Sequence, residues 1–382
     1  ENAMAFQLPP EQEMIRLMAR DFAKKELEPF AGEWDREETF PEKAVRKMGG
    51  LGLMGMMIPV EYGGAGAGAV SYSLALQEIA YACASTAVTM SVTNLSSDPI
   101  FKFGSEEQKQ RYLAPLARGE MLGAFAVTET DAGSDPGGMT TRAEEKGDHY
   151  LVKGSKIFIT NGSYADVIVL ITRIGAEKSN RGLSAFLLTK GTPGFRIGRK
   201  EDKMGLRASD TVELLFDDCR IPKENLLGKE GIGFKIAMVA LDSGRIGIAS
   251  QSLGIARACL HEAVAYAKTR KQFGKNIGSF QAIQWMIADT AAEIEAAHWL
   301  TLYAADKKDQ GLRFKREASM AKLFASEMAN RAAYRAVQIH GGYGYMKEYK
   351  VERLYRDARV TTIYEGTSEV QRIVIAREVL EE

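Results

Sequence analysis

The feature that most constrains the fold is a change of residue pattern between residues 121 and 221. The sequence on either side is rich in helix-forming residues, whereas this segment consists of short runs of β-branched and apolar residues, which favour strands. Turn-forming residues separate these runs. The clearest runs are LVKGSKIFIT, ADVIVLIT, LSAFLLT and TVELLF. We therefore expect an all-β domain between two helical regions.

The flanking regions are both predicted to be helical. In the first, helices are expected over residues 10–36, about 70–90 and Glu106 to Arg118. In the second, apolar residues recur at helical spacing and predict a bundle of amphipathic helices. The expected domains are an N-terminal helical domain, a central β domain and a C-terminal helical domain, over residues 1–120, 121–230 and 231–382.

Composition excludes several classes of protein. Fifty Lys and Arg residues balance fifty Asp and Glu residues, so no overall charge favours binding to nucleic acid or to an anionic membrane. Three scattered cysteines argue against a disulfide framework, and four separated histidines give no pattern of a metal site. The uncharged stretch at 79–97 is too polar to span a membrane. No secretory signal is visible near the N-terminus.

Two segments of the β domain carry candidate ligand contacts. FAVTETDAGSD leaves an apolar strand and enters a loop of small residues, where Thr128 and Ser134 offer hydroxyl groups. KIFITNG ends in Asn161-Gly162, a pair that is equally typical of a hairpin turn. From the residues alone, an ordinary transition from strand to loop is the simpler explanation of the first segment, and a hairpin turn is an open alternative for the second.

Two predicted helix ends in the C-terminal region are also candidate ligand-binding segments. TRKQFGK places Arg270 beside Gln272 at a helix break, and an arginine fork next to an amide suits a phosphate or pyrophosphate. A solvated basic helix end explains the same residues at least as well. QIHGGYGY ends a helix with Gly341-Gly342, which a helix cap explains without any ligand.

The segment IYEGTSEVQR is the most suggestive. Ser368 and Gln371 have capping-box spacing, so a terminal helix is expected to begin near Thr367 or Ser368, with Glu365 in the preceding loop. An apolar pocket around Glu365 would raise its pKa into a range useful for a base. From the residues alone, an acid that complements the helix dipole is the favoured alternative.

Taken together and in order, these segments resemble those of the acyl-CoA dehydrogenase family over essentially the whole chain, and most of all its short-chain, butyryl-CoA type. The matching segments are FAVTETDAGSD, KIFITNG, LDSGRIGIASQ, RKQFG, QIHGGYGY, YRDAR and IYEGTSE. The resemblance implies an α+β multidomain fold with an N-terminal helical domain, a central β-barrel-like domain and a C-terminal four-helix bundle. FAD would lie between the last two domains.

The resemblance also implies residues that contact FAD. Those of the β domain would be Phe125, Val127, Thr128, Phe158, Ile159 and Thr160. Many relatives have Trp in place of Phe158, so an indole hydrogen bond is not expected here. Residues that would reach the FAD of a neighbouring subunit are Arg270, Gln272, Phe273, Gln338, Gly341 and Gly342. The site would then be completed in a homo-oligomer, usually a tetramer, and Thr367 and Glu369 match further FAD contacts.

Glu365 matches the catalytic base of the family. The implied reaction removes the α-proton of an acyl-CoA thioester while a hydride leaves the β-carbon, which yields a trans-2-enoyl-CoA, and the electrons pass to an electron-transfer flavoprotein. Positions around the acyl-CoA would be Ser134, Asp242, Arg245 and Gly366. In some relatives the base projects from the helix of the LDSGR-type segment, but this chain has Gly244 there. In a Glu365→Gln variant, the helix is expected to tolerate Gly244→Glu, which should restore part of the activity.

Two other functions stay open. One is a flavin oxidase or monooxygenase of the same fold, and the other is a non-catalytic, DNA-associated relative, against which the retention of Glu365 argues. Straight, short acyl chains are the expected substrates, with medium or branched chains as alternatives. The expected location is the cytoplasm, or the mitochondrial matrix in a eukaryote.

Overall fold

The computed structural model describes residues 8–175 and 179–381, in which helices are followed by strands and then again by helices. Residues 1–7 of the expected N-terminal domain lie outside this part of the chain. The first helices are α1 (Pro10–Glu26), α2 (Ala31–Glu37), α3 (Glu42–Gly50), α4 (Gly68–Ala82), α5 (Ala84–Phe103), α6 (Glu106–Gln108) and α7 (Ala114–Ala117). A π-helical turn at Lys109–Leu113 joins α6 to α7, so a helical run occupies the expected position.

The helix expected over about 70–90 is in fact two helices. The chain breaks at Cys83, whose backbone is extended (φ −151°, ψ 103°), and α5 then continues to Phe103. No glycine or proline marks this break, and both helices are apolar or small on every side because they are almost entirely buried. The break therefore leaves little trace in the sequence pattern.

The strands form one curved sheet in the order β6-β7-β3-β2-β4-β5-β8, and β1 pairs in parallel with β4. They are β1 (Gly123–Ala126), β2 (Arg142–Lys146), β3 (His149–Thr160), β4 (Val167–Ile174), β5 (Leu183–Thr189), β6 (Phe195–Lys200), β7 (Thr211–Pro222) and β8 (Leu226–Leu227). Val152 of β3, Ile168 of β4, Phe186 of β5 and Leu214 of β7 share one apolar cluster. Because strands from both halves of the sheet meet in that cluster, the domain is barrel-like.

The Asn161-Gly162 pair does not form a hairpin turn. In the described sheet, β3 pairs with β2 and β7, whereas β4 pairs with β1, β2 and β5. Asn161 has a positive φ of 66°, and its Nδ2 donates to the carbonyl oxygens of Thr89 at 3.2 Å and Gly123 at 3.1 Å. The buried amide thus ties the β domain to α5.

The last part of the chain contains a long helix that packs against both helical regions. The long helix is α8 (Gly233–Thr269). The elements that follow it are β9 (Lys271–Gln272), β10 (Lys275–Asn276), α9 (Gln281–Asp309), α10 (Lys315–His340), α11 (Lys350–Arg359) and α12 (Ser368–Leu380). Leu74 of α4, Val88 of α5, Leu253 of α8 and Ala325 of α10 belong to one apolar cluster. The N-terminal helices and the C-terminal bundle therefore share a core built around α8. Within the described residues, none of the helices is long and apolar enough to cross a membrane.

Candidate active site

The loop that carries Glu365 ends where α12 begins. Thr367 is the N-cap of this helix, because its side chain accepts a hydrogen bond from the Val370 N–H at 3.3 Å. The capping box expected from Ser368 and Gln371 is therefore wrong by one residue. The Gln371 side chain instead reaches back, and its Nε2 donates to the carbonyl oxygens of Glu365 at 3.2 Å and of Gly366 at 3.0 Å.

Glu365 and Gly366 both have left-handed backbone conformations, with φ values of 51° and 92°. For glutamate this conformation costs on the order of 1 kcal/mol or more. Lys322, a fully buried residue of α10, donates from Nζ to the Gly366 carbonyl oxygen at 2.7 Å. The strained loop is thus held from two helices, which is typical of functional sites.

The Glu365 carboxylate lies directly against Gly244 of α8. A Cβ atom on Gly244 would overlap Glu365 Oε2 and would come within 3.0 Å of Leu95 Cδ1. A side chain at Gly244 would therefore have to displace the side chain of residue 365, a contact that helix propensity alone does not take into account. Glu365 Oε2 is buried, and it has no hydrogen-bond partner among the described residues.

Burial governs the ionisation of this carboxyl group. Desolvation raises the pKa of Glu365 to about 7, and the positive charges of Lys322 and Arg245 only partly oppose that rise. Arg245 is itself buried and pairs with Asp242 Oδ1 at 2.6 Å, while its Nε lacks a partner in the described part of the chain. Two unpaired polar atoms, Glu365 Oε2 and Arg245 Nε, therefore remain available to a ligand.

Further walls of this pocket come from α4, α5 and α8. The Tyr364 hydroxyl donates to Gln251 Oε1, and the Tyr72 hydroxyl donates to Ser91 Oγ at 3.2 Å. A Cβ atom on Gly247 would lie 2.6 Å from Ser91 Oγ and 2.8 Å from Tyr72 Oη. We call this region the Glu365 pocket. Its residues are Tyr72, Ser91, Leu95, Gly244, Arg245, Gly247, Gln251, Lys322, Tyr364 and Glu365.

A second group of the expected residues lies together at the edge of the β domain. The Ile157 N–H donates to the Thr128 carbonyl oxygen at 2.9 Å, so the loop after β1 lies beside the end of β3. Phe158 has a φ of 62° at a sheet irregularity, and 60% of it is exposed. Ile159, in contrast, packs inside the β-domain core, so its side chain does not share the exposed edge with Phe158.

Buried charge fixes this edge. Lys156 has no exposed surface, and its Nζ contacts the Val127 carbonyl oxygen and Glu129 Oε1, both at 2.8 Å. Glu129 also accepts hydrogen bonds from the backbone N–H groups of Thr140 and Thr141. Because Lys156 and its neighbours stabilise the charged form, the pKa of Glu129 falls to about 2. The backbone on both sides of Thr128 is thus held in place.

A third group lines an open cleft of about 460 Å³ at the far end of α8, which we call the Arg270 cleft. Its walls include Arg270, Gln272, Gly341, Gly342 and Tyr343, and the Arg270 guanidinium lies 5.5 Å from the Tyr343 ring centre. In the described chain, Cβ atoms on Gly341 and Gly342 would meet nothing within 4 Å, so the two glycines leave this wall open. Phe273 and Gln338 are both exposed, and each is close in the sequence to residues that line the cleft.

The Arg270 cleft and the Glu365 pocket are far apart within one chain. From Gly244 to Arg270 α8 advances by 26 residues, which at 1.5 Å per residue is about 39 Å. The expected FAD contacts lie in two groups, one at the edge of the β domain beside Thr128 and Phe158 and the other at the Arg270 cleft.

Phe125 and Val127 are partly buried against an apolar cluster, whereas three other expected residues take ordinary surface or capping positions. Ser134 is exposed in the loop after β1, Glu369 is exposed in the first turn of α12, and Thr367 caps that helix. The sequence interpretation missed Lys322, and it gave Gln371 only a capping role rather than its contact with the Glu365 loop. A signal for Lys322 exists, because it lies on the buried alanine stripe of α10 with Ala318, Ala321 and Ala325, where a charged residue is out of place.

Comparison with known proteins gives matches along the whole chain. The family models named acyl-CoA dehydrogenase match in three parts: the N-terminal domain at residues 9–120, the middle domain at 124–219 and the C-terminal domain at 231–380. The short-chain specific acyl-CoA dehydrogenase of Clostridium acetobutylicum is 50% identical, over 98% of this chain and 99% of its own length.

Two solved structures are also similar over nearly their full length. Butyryl-CoA dehydrogenase from Megasphaera elsdenii has 46% sequence identity and a TM-score of 0.97, covering 99% of this chain and 100% of that chain. A chain from a structure of the electron transferring flavoprotein of Acidaminococcus fermentans, concerned with flavin-based electron bifurcation, has 50% identity and a TM-score of 0.98 with the same coverage.

Proposed function

This chain belongs to the acyl-CoA dehydrogenase family, and from this we propose that it oxidises a short-chain acyl-CoA to the trans-2-enoyl-CoA and passes the electrons to an electron-transfer flavoprotein. The similarity to butyryl-CoA dehydrogenase supports the substrate class. The similarity to a chain solved in work on an electron transferring flavoprotein supports the acceptor.

The observation that carries this proposal is the buried Glu365 carboxylate. With a pKa raised to about 7 by desolvation, it is partly ionised at neutral pH and is a stronger base than an exposed carboxylate. In the proposed reaction Glu365 takes the α-proton of the thioester. Its unpaired Oε2 leaves the carboxylate ready to do so without first breaking a hydrogen bond.

The residues present fit FAD. The exposed Phe158 and the neighbouring loop at Thr128 offer an aromatic surface with polar groups, which suits an isoalloxazine ring. Arg270 beside the open Gly341-Gly342 wall suits a pyrophosphate. When bound, FAD supplies the acceptor for the hydride that leaves the β-carbon. Thr160, Phe125, Val127, Gln272, Gln338, Thr367 and Glu369 belong to the same proposal.

The substrate pocket supports a short acyl chain. Leu95 lies beside the carboxylate, and the Tyr364–Gln251 hydrogen bond lies two turns along α8 from Gly244. Arg245, paired with Asp242 and with an unpaired Nε, is placed to hold a polar part of the thioester, together with Gly366 and Ser134. A long acyl chain would have to displace the tyrosine and the glutamine.

A homo-oligomer, specifically a tetramer, is part of the proposal, because the residues expected to reach the FAD of a neighbouring subunit line an open cleft at the end of α8. Exposed aromatic residues support it: Phe273 is 92% exposed, and Trp285 of α9 is 63% exposed. We also propose a reducing location, the cytoplasm or a mitochondrial matrix. The three cysteines are buried and free, which supports this location.

An anaerobic titration tests the function. The purified yellow protein is mixed with a series of straight-chain acyl-CoA thioesters, and the loss of flavin absorbance is followed. In steady-state turnover with an added electron acceptor, we expect the highest kcat/KM with butyryl-CoA or hexanoyl-CoA. A maximum at twelve carbons or beyond would contradict the short-chain proposal, and rapid oxygen consumption without an added acceptor would instead indicate a flavin oxidase.

A further inference from the structure

Two buried side chains hold the backbone of the Glu365 loop, and the proposed reaction assigns no role to either. Lys322 donates from Nζ to the Gly366 carbonyl oxygen at 2.7 Å. Gln371 donates from Nε2 to the carbonyl oxygens of Glu365 at 3.2 Å and Gly366 at 3.0 Å. Neither side chain has any exposed surface. Three hydrogen bonds thus converge on the two carbonyl groups that follow the reactive carboxylate in the chain.

These carbonyl groups belong to the residues whose backbone conformation needs support. Glu365 and Gly366 have φ values of 51° and 92°, a region that glutamate rarely adopts. Because a peptide group is planar and trans, a donor that fixes the Glu365 carbonyl oxygen also fixes the Gly366 N–H on the opposite side. A Cβ atom on Gly366 would come within 2.6 Å of Gln371 Nε2, so the fit is close. The backbone position of Glu365 therefore depends on α10 and α12.

A neutral donor would satisfy the Gly366 carbonyl group, yet the residue present is a lysine. Burying an ammonium group is costly unless a negative charge lies nearby. Burial lowers the pKa of Lys322 to about 8, and its attraction to Glu365 opposes that fall. The other groups that act on Glu365 are Arg245 from α8, Tyr72 from α4 and Tyr364 from its own loop. Lys322 also faces Glu369 and Glu327.

We propose that Lys322 and Gln371 are positioning residues for removal of the substrate α-proton, Gln371 through backbone geometry alone and Lys322 through both geometry and charge. The inference rests on the proposed function, because it takes Glu365 as the base. It separates two contributions that a single substitution of Glu365 removes together, namely where the carboxylate lies and how readily it ionises.

Three variants of the FAD-loaded enzyme test the inference. Lys322→Met removes the charge and the donor at nearly constant length, and Gln371→Leu removes both hydrogen bonds without a change of charge. Lys43→Met, at an exposed lysine of α3, is the control for loss of a charge. FAD content and Tm are measured first. Stopped-flow reduction of the flavin by butyryl-CoA is then followed as a function of pH.

We expect Gln371→Leu to slow flavin reduction about tenfold at every pH, with the acidic limb of the profile unmoved and KM nearly unchanged. Lys322→Met slows it at least as much at pH 7 and moves that limb upward by about one pH unit, because a cation no longer favours the carboxylate. The infrared band of protonated Glu365, identified by its loss in Glu365→Gln, moves upward in pH by the same amount. The control variant behaves as wild type.

The inference is overturned if both variants bind FAD and reduce it at the wild-type rate, or if the Glu365 band of Lys322→Met titrates as in wild type. If Lys322→Met fails to retain FAD, the rate of flavin reduction in Gln371→Leu still tests whether the hydrogen bonds to the loop position the Glu365 carboxylate. Lys322→Arg, which keeps charge and donor, then decides the electrostatic part, since a displaced limb in that variant would contradict it. A wild-type enzyme that no acyl-CoA reduces would overturn the proposed function itself.

Discussion

The Glu365 pocket and the Arg270 cleft lie about 39 Å apart along the same helix and differ in how much water reaches them. In the pocket, a carboxylate oxygen and a guanidinium nitrogen are buried without partners in the described chain. In the cleft, Gln272 and Gly341 are exposed, and the wall beside Arg270 is open. The reactive atoms of the pocket are therefore enclosed by one chain, whereas the cleft is open to solvent.

The difference matches the chemistry proposed for each place. A base that removes a proton from carbon needs a raised pKa, and desolvation supplies this most simply within one packed core. A pyrophosphate needs a cation and room, and both are found at the surface. We infer that substitutions in the pocket change the rate of the chemical step, whereas substitutions in the cleft change how well FAD is held.

Replacement of the base is expected to have the largest effect. Glu365→Gln is nearly isosteric and should leave FAD bound, but flavin reduction by butyryl-CoA should fall by about two to four powers of ten, because the amide cannot accept the α-proton. In wild type the rate should rise with pH through about 7, as the carboxyl group ionises. Stopped-flow absorbance measures both, and a pH-independent wild-type rate would argue against Glu365 as the group that ionises.

Gly244→Ala is expected to have the next largest effect. The new Cβ atom would overlap Glu365 Oε2 and displace the carboxylate, so flavin reduction should slow by about a hundredfold with FAD still bound. Gly50→Ala is the control, because a Cβ atom on that glycine of α3 would meet nothing within 4 Å among the described residues. If the two variants reduce their flavin equally fast, contact between Gly244 and Glu365 does not control the reaction.

Arg270→Ala tests the cleft. Loss of the guanidinium should raise the dissociation constant of FAD about tenfold, while the rate of reduction of the FAD that remains bound stays near wild type. Equilibrium dialysis with FAD measures the first quantity and stopped-flow absorbance the second. Lys275→Ala is the control for loss of a nearby positive charge. If flavin reduction is slow in Arg270→Ala that is fully loaded with FAD, the cleft also affects the chemical step, which would contradict the proposed separation of roles.

The smallest effect on the reaction is expected at Glu129, where the main change is in stability. Glu129→Gln leaves the buried Lys156 without its counter-ion and should cost about 3 kcal/mol of unfolding free energy at pH 7. Because the folded-state pKa of Glu129 is lowered to about 2, its contribution is complete above its ordinary pKa and is lost as pH falls below that value. Urea unfolding checks this, with the exposed Glu144→Gln as control.

The sequence predicted the arrangement of the domains better than the details of the site. Short runs of β-branched and apolar residues between turn residues revealed the strands, and good helix formers revealed the flanking helices, because both signals are local. The break at Cys83 and the capping residue Thr367 were not predicted, since neighbouring residues offered equally good local patterns. Asn161 was interpreted as part of a possible hairpin turn, but its amide instead joins two domains.

In the site, too, features with a local sequence signal were predicted, and features that depend on packing were not. Glu365 was predicted from its motif, and the pocket that raises its pKa agrees with the physical expectation. The contacts of Lys322 and Gln371 with the Glu365 loop were missed because they join residues that are distant in the sequence, or depend on a loop conformation that no motif specifies. The overlap of Gly244 with the carboxylate likewise depends on how α8 packs against that loop.

The central claim is that the Glu365 carboxylate removes the α-proton, and exchange into acetyl-CoA tests it most directly. Acetyl-CoA has no β-carbon, so proton removal can be observed without hydride transfer. In D₂O, the wild-type protein should exchange the methyl protons of the acetyl group for deuterium, measured by NMR, at a rate that rises through about pH 7. Glu365→Gln should abolish this exchange with FAD still bound. Exchange at the wild-type rate in Glu365→Gln would contradict the account.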